Sequence, residues 1–449
     1  MPVYIVHCID TEGPLFEPIE ATFERLREIF GLQIEPTFEN LRKLQNGRID
    51  LGGAESAVQR VVDPQLVNYL DTWDKLAEML DAVQSDDFRL CLPDSDGQGW
   101  IFNWFCVDHV GYRENPRRRA MGIHQIFDYY RHRVLQRTDC KDGVHFHFHP
   151  HAFSKKANHC ATQWLGQNSP LYEIISRRLI DRDWFPTVNR PGFHSIRPDS
   201  HWFLEQFVPF DFSNQAVRVD KDDELQVDLG GGRFGDWRRA PATWSPYHPS
   251  YDDYQRPGDC RRWIARCLNV GTRLRLLTQG DVDQAFQEAA EGKPVILSFT
   301  DHDFRDMRHD VRDVQRMIVE ASKRHPKTKY FYSEARSAFR EALKLSNPGD
   351  CWFECKVKEK DGRRFLELST DVKTFGPQPF LAIKTMDGNY YHDNFDIHHP
   401  HRCFGYVFDD QTIRWDAVSE IGIGSNNSYG TCTVVKYERK SDTWRQFVI

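Results

Sequence analysis

The chain has no CxxC pair, no run of about 18 apolar residues such as a membrane span needs, no excess of positive charge and no long repeat. Each absence narrows what it can be. Eleven cysteines, an odd number, are scattered from Cys8 to Cys432. The closest two, Cys351 and Cys355, lack the second pair that a zinc ribbon requires, so reduced and mostly buried thiols are expected. Residues Met1-Pro2-Val3-Tyr4-Ile5-Val6-His7-Cys8-Ile9 have neither the basic stretch nor the apolar length of a secretory signal. A soluble protein located in the cytoplasm is the expectation. With 59 basic against 66 acidic residues the formal charge is −7, and no basic stripe overrides it. There is no electrostatic case for a nucleic-acid partner.

What the chain does have is core material, with 40% hydrophobic and 13% aromatic residues over 449 positions. That length is too great for one ordinary domain, so two are expected. Residues 3–9 form a short β-branched run that reads as a buried strand. It ends in Asp10-Thr11-Glu12-Gly13-Pro14, a turn carrying two carboxylates. Residues 19–83 are mostly helical in pattern, with Pro64 placed to start one helix.

Further strands are expected at 100–107, 144–148, 209–212, 272–277, 294–299 and 329–332. Helices are expected at 123–135, 170–180, 198–207, 260–268, 281–290, 308–323 and 334–345. Strands alternating with helices over residues 1–345 predict a parallel α/β sheet or an irregular barrel. After Ser346-Asn347-Pro348-Gly349-Asp350 the pattern changes to short strand-like runs at 352–357, 365–368, 380–385, 404–408 and 432–437. Residues 346–449 therefore read as an all-β accessory domain of the sandwich type.

The chemistry concentrates in Gly143-Val144-His145-Phe146-His147-Phe148-His149-Pro150-His151. Alternation in a strand sends His145 and His147 to one face, and Phe146 and Phe148 to the other. A row of imidazoles backed by apolar anchors suggests a metal site at a strand tip, zinc or a similar divalent ion. The competing reading is a polar strand face bonded to neighbouring loops.

In parallel α/β folds functional side chains collect where strands end. Asp10 and Glu12 follow the first strand, and Asp301-His302-Asp303 follow the strand at 294–299. One carboxylate with two imidazoles leaves open positions on a divalent ion. The remaining groups suit base and acid work on a metal-bound water. A helix cap is the alternative use of the His302 triplet.

These pieces resemble, in order, the motifs of the polysaccharide deacetylases, the NodB-homology group. The acidic turn Asp10-Thr11-Glu12-Gly13 is similar to their first motif, and His145–His151 contains a histidine pair like their second. Asn189-Arg190-Pro191-Gly192-Phe193-His194-Ser195-Ile196 looks like their arginine motif, and Ile296-Leu297-Ser298-Phe299-Thr300-Asp301-His302 like their last. The resemblance covers about residues 1–345.

It implies a distorted (β/α) barrel and metal-dependent hydrolysis of an N-acyl group, acetyl or formyl, on an amino sugar. By position it makes Asp10 the general base, His302 the general acid and Arg190 the residue that holds Asp10. Glu12 becomes a metal ligand, although an aspartate is more usual there. The arginine motif is one residue short, and the helical insert after Gly13 and the β domain lie outside the family pattern.

The family's common i,i+4 histidine spacing would select His145 and His149. Along a continuous strand those positions lie roughly 13 Å apart at ~3.3 Å per residue, too far for nitrogens each ~2.1 Å from one zinc. The apolar residues between favour extension, so His147 and His149 are the expected pair, with His145 next and His151 last. Asp108-His109 could line the pocket or belong to a packed loop. Trp237, Trp244, Tyr247 and His248 could stack on sugar faces or pack the loop. His398-His399-Pro400-His401 looks metal-like without a motif to complete it.

The expected partner is a carbohydrate, namely a nucleotide-linked, lipid-linked or polymeric amino sugar. The β domain would bind glycan or form a homo-oligomer. A catalytically silent carbohydrate-binding protein and an amidase acting on a non-sugar C–N bond are the alternatives.

Overall fold

In a computed structural model, which describes all residues except 113, 114, 116, 138, 151–162, 167–169, 219–234 and 273, seven parallel strands close into a barrel. They are β1 (Val3–Thr11), β2 (Phe102–Cys106), β3 (Gly143–Phe148), β4 (Val188–Pro191), β5 (Phe210–Asn214), β6 (Trp263–Asn269) and β7 (Val295–His302). Each pairs with its successor, and β7 returns to β1. β8 (Tyr330–Tyr332) adds to the first residues of β1, before β2 joins the same edge from His7 onward. All nine residues of β1 are buried, as both faces of a barrel strand require.

Six helices lie between β1 and β2: α1 (Ile19–Phe30), α2 (Phe38–Gln45), α3 (Glu55–Val61), α4 (Pro64–Val67), α5 (Trp73–Val83) and α6 (Asp86–Arg89). Their starts follow ordinary capping. Thr37 and Thr72 accept the N–H groups of Asn40 and Lys75, and Pro64 opens α4 behind Asp63. Around α1–α3, Phe23, Leu26, Leu44, Val58, Val61 and Val62 form a small core of their own. The other helices are α7 (Gln125–Gln136), α8 (Leu171–Arg182), α9 (Pro198–Phe207), α10 (Gln279–Ala290), α11 (Arg308–Arg324) and α12 (Ala335–Ala342).

The remaining chain is antiparallel: β9 (Phe353–Lys360), β10 (Arg363–Thr370), β11 (Phe380–Thr385), β12 (Tyr390–Asp393), β13 (Asp396–His399), β14 (Cys403–Phe408), β15 (Val418–Asn426), β16 (Cys432–Glu438) and β17 (Thr443–Val448). One sheet runs β13-β14-β10-β9 and the other β12-β11-β15-β16-β17. Leu366, Phe404 and Tyr406 of the first meet Ile383, Ile421 and Val435 of the second across a shared core, which makes a sandwich. The outer face of the five-stranded sheet packs Phe380, Ala382 and Val434 onto Leu179, Ile180 and Phe185 of the barrel half. A Cβ added at Gly424 would stand 2.4 Å from the Phe185 ring.

Three expectations fail for physical reasons. Residues 260–268 are not a helix, because β6 occupies them. Buried on both faces, Ile264, Ala265, Cys267 and Leu268 show no alternation. The described residues of 272–277 form no strand of the barrel, and Leu277 N–H folds back to donate to Asn269 O at 2.8 Å. β4, β12, β13, β15 and β17 went unrecognised, β15 because two glycines, Gly422 and Gly424, interrupt its apolar pattern. Among the described residues no helix is long and apolar enough to cross a membrane, and the ten described cysteines are free.

His7, on the outward face of β1 between the barrel and its helices, stacks on Phe299 at 4.8 Å and accepts the Trp100 indole N–H at 3.1 Å. Burial lowers its pKa to about 3. As pH falls through 6.5 the unfolded imidazole takes up a proton that the folded one refuses. The contribution of His7 to stability is thus complete above that value and lost below it. The melting temperature of chelator-treated protein should fall between pH 7 and 5, with a shallower slope in His7→Gln. An equal slope in the variant would refute this source.

Candidate metal centre

Two register pairs bring the site together. Asp10 of β1 stands beside His302 of β7, and His147 of β3 beside Arg190 of β4. Neighbouring residues in a parallel sheet share a face, so all four side chains belong to the mouth where the strands end. His147 Nδ1–H donates to the Arg190 carbonyl at 2.6 Å, which fixes the tautomer and leaves Nε2 as a lone pair. That Nε2 lies 2.9 Å from Nε2 of His149, and His149 Nε2 lies 3.5 Å from Glu12 Oε1.

Glu12, His147 and His149 are all buried, with ligand atoms within 4.8 Å of one another. It is the one such group among the described residues. One carboxylate and two imidazoles, one of them tautomerically fixed, suit a divalent ion with open positions. The residues therefore fit a metal.

The two carboxylates of the turn are pushed in opposite directions. Burial pushes Asp10 well above the usual range, and the Arg190 guanidinium only partly opposes it. Burial works on Glu12 too, but Arg119, at 2.8 Å from Oε2, and the imidazoles of His149 and His109 hold it well below. Environments that separate two carboxylates in this way separate their roles. The anion is favoured on Glu12, which is fit to ligate, whereas Asp10 holds a proton more readily than an ordinary carboxyl.

Asp10 Oδ1 lies 3.4 Å from His147 Nδ1, and Oδ2 lies 3.7 Å from His302 Nε2. Burial and then Arg305 lower His302 well below its ordinary value. Arg190 grips Asp10 through Nη1 and donates from Nη2 to His194 Nε2 at 2.6 Å.

The supports come from residues the sequence reading weighed less or missed. Asp303 does not cap the next helix. Its carboxylate accepts the N–H groups of Glu12 and Gly13 at 2.8 and 2.9 Å and the Tyr130 hydroxyl at 2.7 Å. It thereby shapes the acidic turn from the end of the neighbouring strand β7. Its membership of the Asp301-His302-Asp303 triplet was the available signal. Arg119 had none beyond its basic neighbours Arg117 and Arg118. Gly192 is required by close approach, since a Cβ there would stand 2.5 Å from the His149 ring.

The other candidates lie outside the triad. His145 sits one step deeper, with Nε2 at 3.2 Å from Asn103 Oδ1 and 3.3 Å from Glu334 Oε1. His151 lies outside the described residues. Asp108 is bound by Arg178 at 2.7 and 2.8 Å as part of the packing, while His109 Nε2 is 3.8 Å from Glu12. Trp237, Trp244 and Tyr247 are buried in the cores and present no face to a sugar. His248 packs against Trp263. His398 and His399 are exposed, with no metal-holding group around them among the described residues.

A cavity of about 200 Å³ opens over the triad, lined by Asp10, Glu12, His149, Arg190 and His302 together with Leu66 and Tyr69 of the helical insert. No known family model matches the chain, and no curated protein is significantly similar to it.

Asp303→Ala should strip two buried N–H groups of their acceptor. A cost of about 3 kcal/mol in unfolding free energy is expected, with a ten- to hundredfold loss of metal affinity on the scale of outer-shell substitutions. Denaturant titration and competition with a chromogenic chelator measure the two. His149→Ala should abolish metal binding, whereas His145→Ala should retain it. Loss of the metal in the His145 variant alone would refute the ligand assignment.

Proposed function

We propose that the protein is a metal-dependent hydrolase that removes an N-acyl group from an amino sugar. The observation that carries this reading is the triad Glu12, His147 and His149 at the barrel mouth, with Asp10 3.4 Å from His147 and His302 3.7 Å from Asp10. The substrate class comes from the motif resemblance of residues 1–345, and zinc is the ion we favour on the donor set. A divalent ion held there would polarise a carbonyl and lower the pKa of a water.

The protein's own groups then divide the proton work. Asp10, raised by burial, takes the proton of the attacking water, with Arg190 holding its carboxylate in place. His302, neutral at rest and 3.7 Å from Asp10, receives that proton and delivers it to the departing nitrogen. Glu12, kept anionic by Arg119, does not compete for protons.

One observation favours a second reading, an amidase acting on a non-sugar C–N bond. The aromatic residues that could have formed a sugar platform, Trp237, Trp244 and Tyr247, are buried. The barrel half, residues 1–345, would carry the chemistry in either case, with residues 346–449 as its accessory domain.

Amine release from a panel of N-acylated sugars and small amides distinguishes the readings. Activity should vanish with a chelator, return with zinc, and fall about 10²–10⁴-fold in Asp10→Asn, the scale of a lost general base. Full activity in Asp10→Asn, or no divalent ion in the purified protein, would overturn the enzyme reading.

A further inference from the structure

We propose that the substrate carries an apolar chain several carbons long, and that this chain lies in a second cavity beside the metal centre. The proposal rests on the N-deacylase reading for where the cleaved bond sits. The second cavity, about 560 Å³, is larger than the one over the triad. The two share Val61, Leu66, Asn269, Thr272 and Leu274 as lining, so the second lies directly beside the first. An N-acetyl monosaccharide at the triad would leave the larger part empty.

The walls of that part are largely apolar. Ile29 and Phe30 of α1, Leu66 of α4 and Met317 of α11 are only half-buried, and Leu276 is 43% exposed. Ile29 and Phe30 also pack against the insert's own core, and with Leu66, Leu276 and Met317 they line the seam between the insert, the residues after β6 and α11. Arg60, Asp63, Asp310 and Asp313 stand on the same lining. An apolar trough with charged residues beside it, next to a hydrolytic site, matches a flexible hydrocarbon chain.

The chain can belong to the acyl group or to the part of the substrate that keeps the amine, and the same trough would hold either. Calorimetry with zinc-loaded full-length protein separates them. One ligand series runs from N-acetyl- to N-octanoylglucosamine, the other from methyl to octyl glycosides of N-acetylglucosamine. In one series affinity should rise about fourfold per methylene, equivalent to ~0.8 kcal/mol for each buried CH₂, while the other stays flat. Flat behaviour in both would overturn the proposal.

Leu276→Asp, at an exposed position on the second cavity alone, should erase the chain-length gain without changing affinity for the shortest ligand. An unchanged gain in a folded Leu276→Asp protein would also overturn it. Amine release measured in parallel keeps the two hypotheses apart. Chain-dependent binding without release would sink the deacylase reading and leave the groove intact. Release without chain dependence would sink the groove alone.

Discussion

A guanidinium sealed from water must find its counter-charges and hydrogen-bond acceptors within the protein, and Arg190 finds them at the open end of the barrel. One end of its fork grips Asp10, the other reaches His194, and its own carbonyl takes the Nδ1 proton of His147. Three strands are thereby tied through one residue, β1 by the ion pair, β3 by the imidazole and β4 by the main chain. Removing one partner of a buried pair leaves the other charge uncompensated, which costs several kcal/mol. The position of Asp10 and the tautomer of His147 therefore depend on the same residue.

Around that contact the charges are sorted. Arg119 belongs to Glu12 and Arg190 to Asp10. Two carboxylates only two residues apart thus meet different guanidinium groups and different degrees of compensation. The barrel supplies this sorting because successive strands bring distant segments to one rim, residue 12 beside residue 149 and residue 10 beside residue 302. The helical insert adds what the barrel lacks, a wall over the rim, and carries a core of its own to do so.

The parts of the fold legible in the sequence were those with a single dominant pattern. β1, β3 and β7 announce themselves as apolar runs that end in ionisable residues, and their order placed Asp10, Glu12, the histidines and His302 near one another. The alternation of Phe146 and Phe148 with His145 and His147 gave the straight strand on which His147, and not His145, reaches His149. β6 was misread because two-sided burial erases alternation. The supporting shell was the least legible. Asp303 bonds the backbone of Glu12 from 291 residues away, and Arg119 reaches the same residue from a loop without a recognisable pattern. Long-range hydrogen bonds of that kind leave no local trace.

The close approach at Gly424 bears on how the antiparallel half relates to the barrel. With the Phe185 ring lodged against a bare Cα, and Leu179 and Ile180 of α8 pressed to the same sheet, the sandwich acts as a brace. It cannot swing like a tethered module. α8 also carries Arg178, whose guanidinium secures Asp108 just beyond the end of β2. A barrel expressed alone would present Ile180, Phe185 and Phe207 to water as an adhesive strip, and would lose the clamp on the helix that steadies one side of its rim. Solubility and the shape of the mouth are in this way secured by the same few aromatic and aliphatic contacts, far along the chain from the histidines.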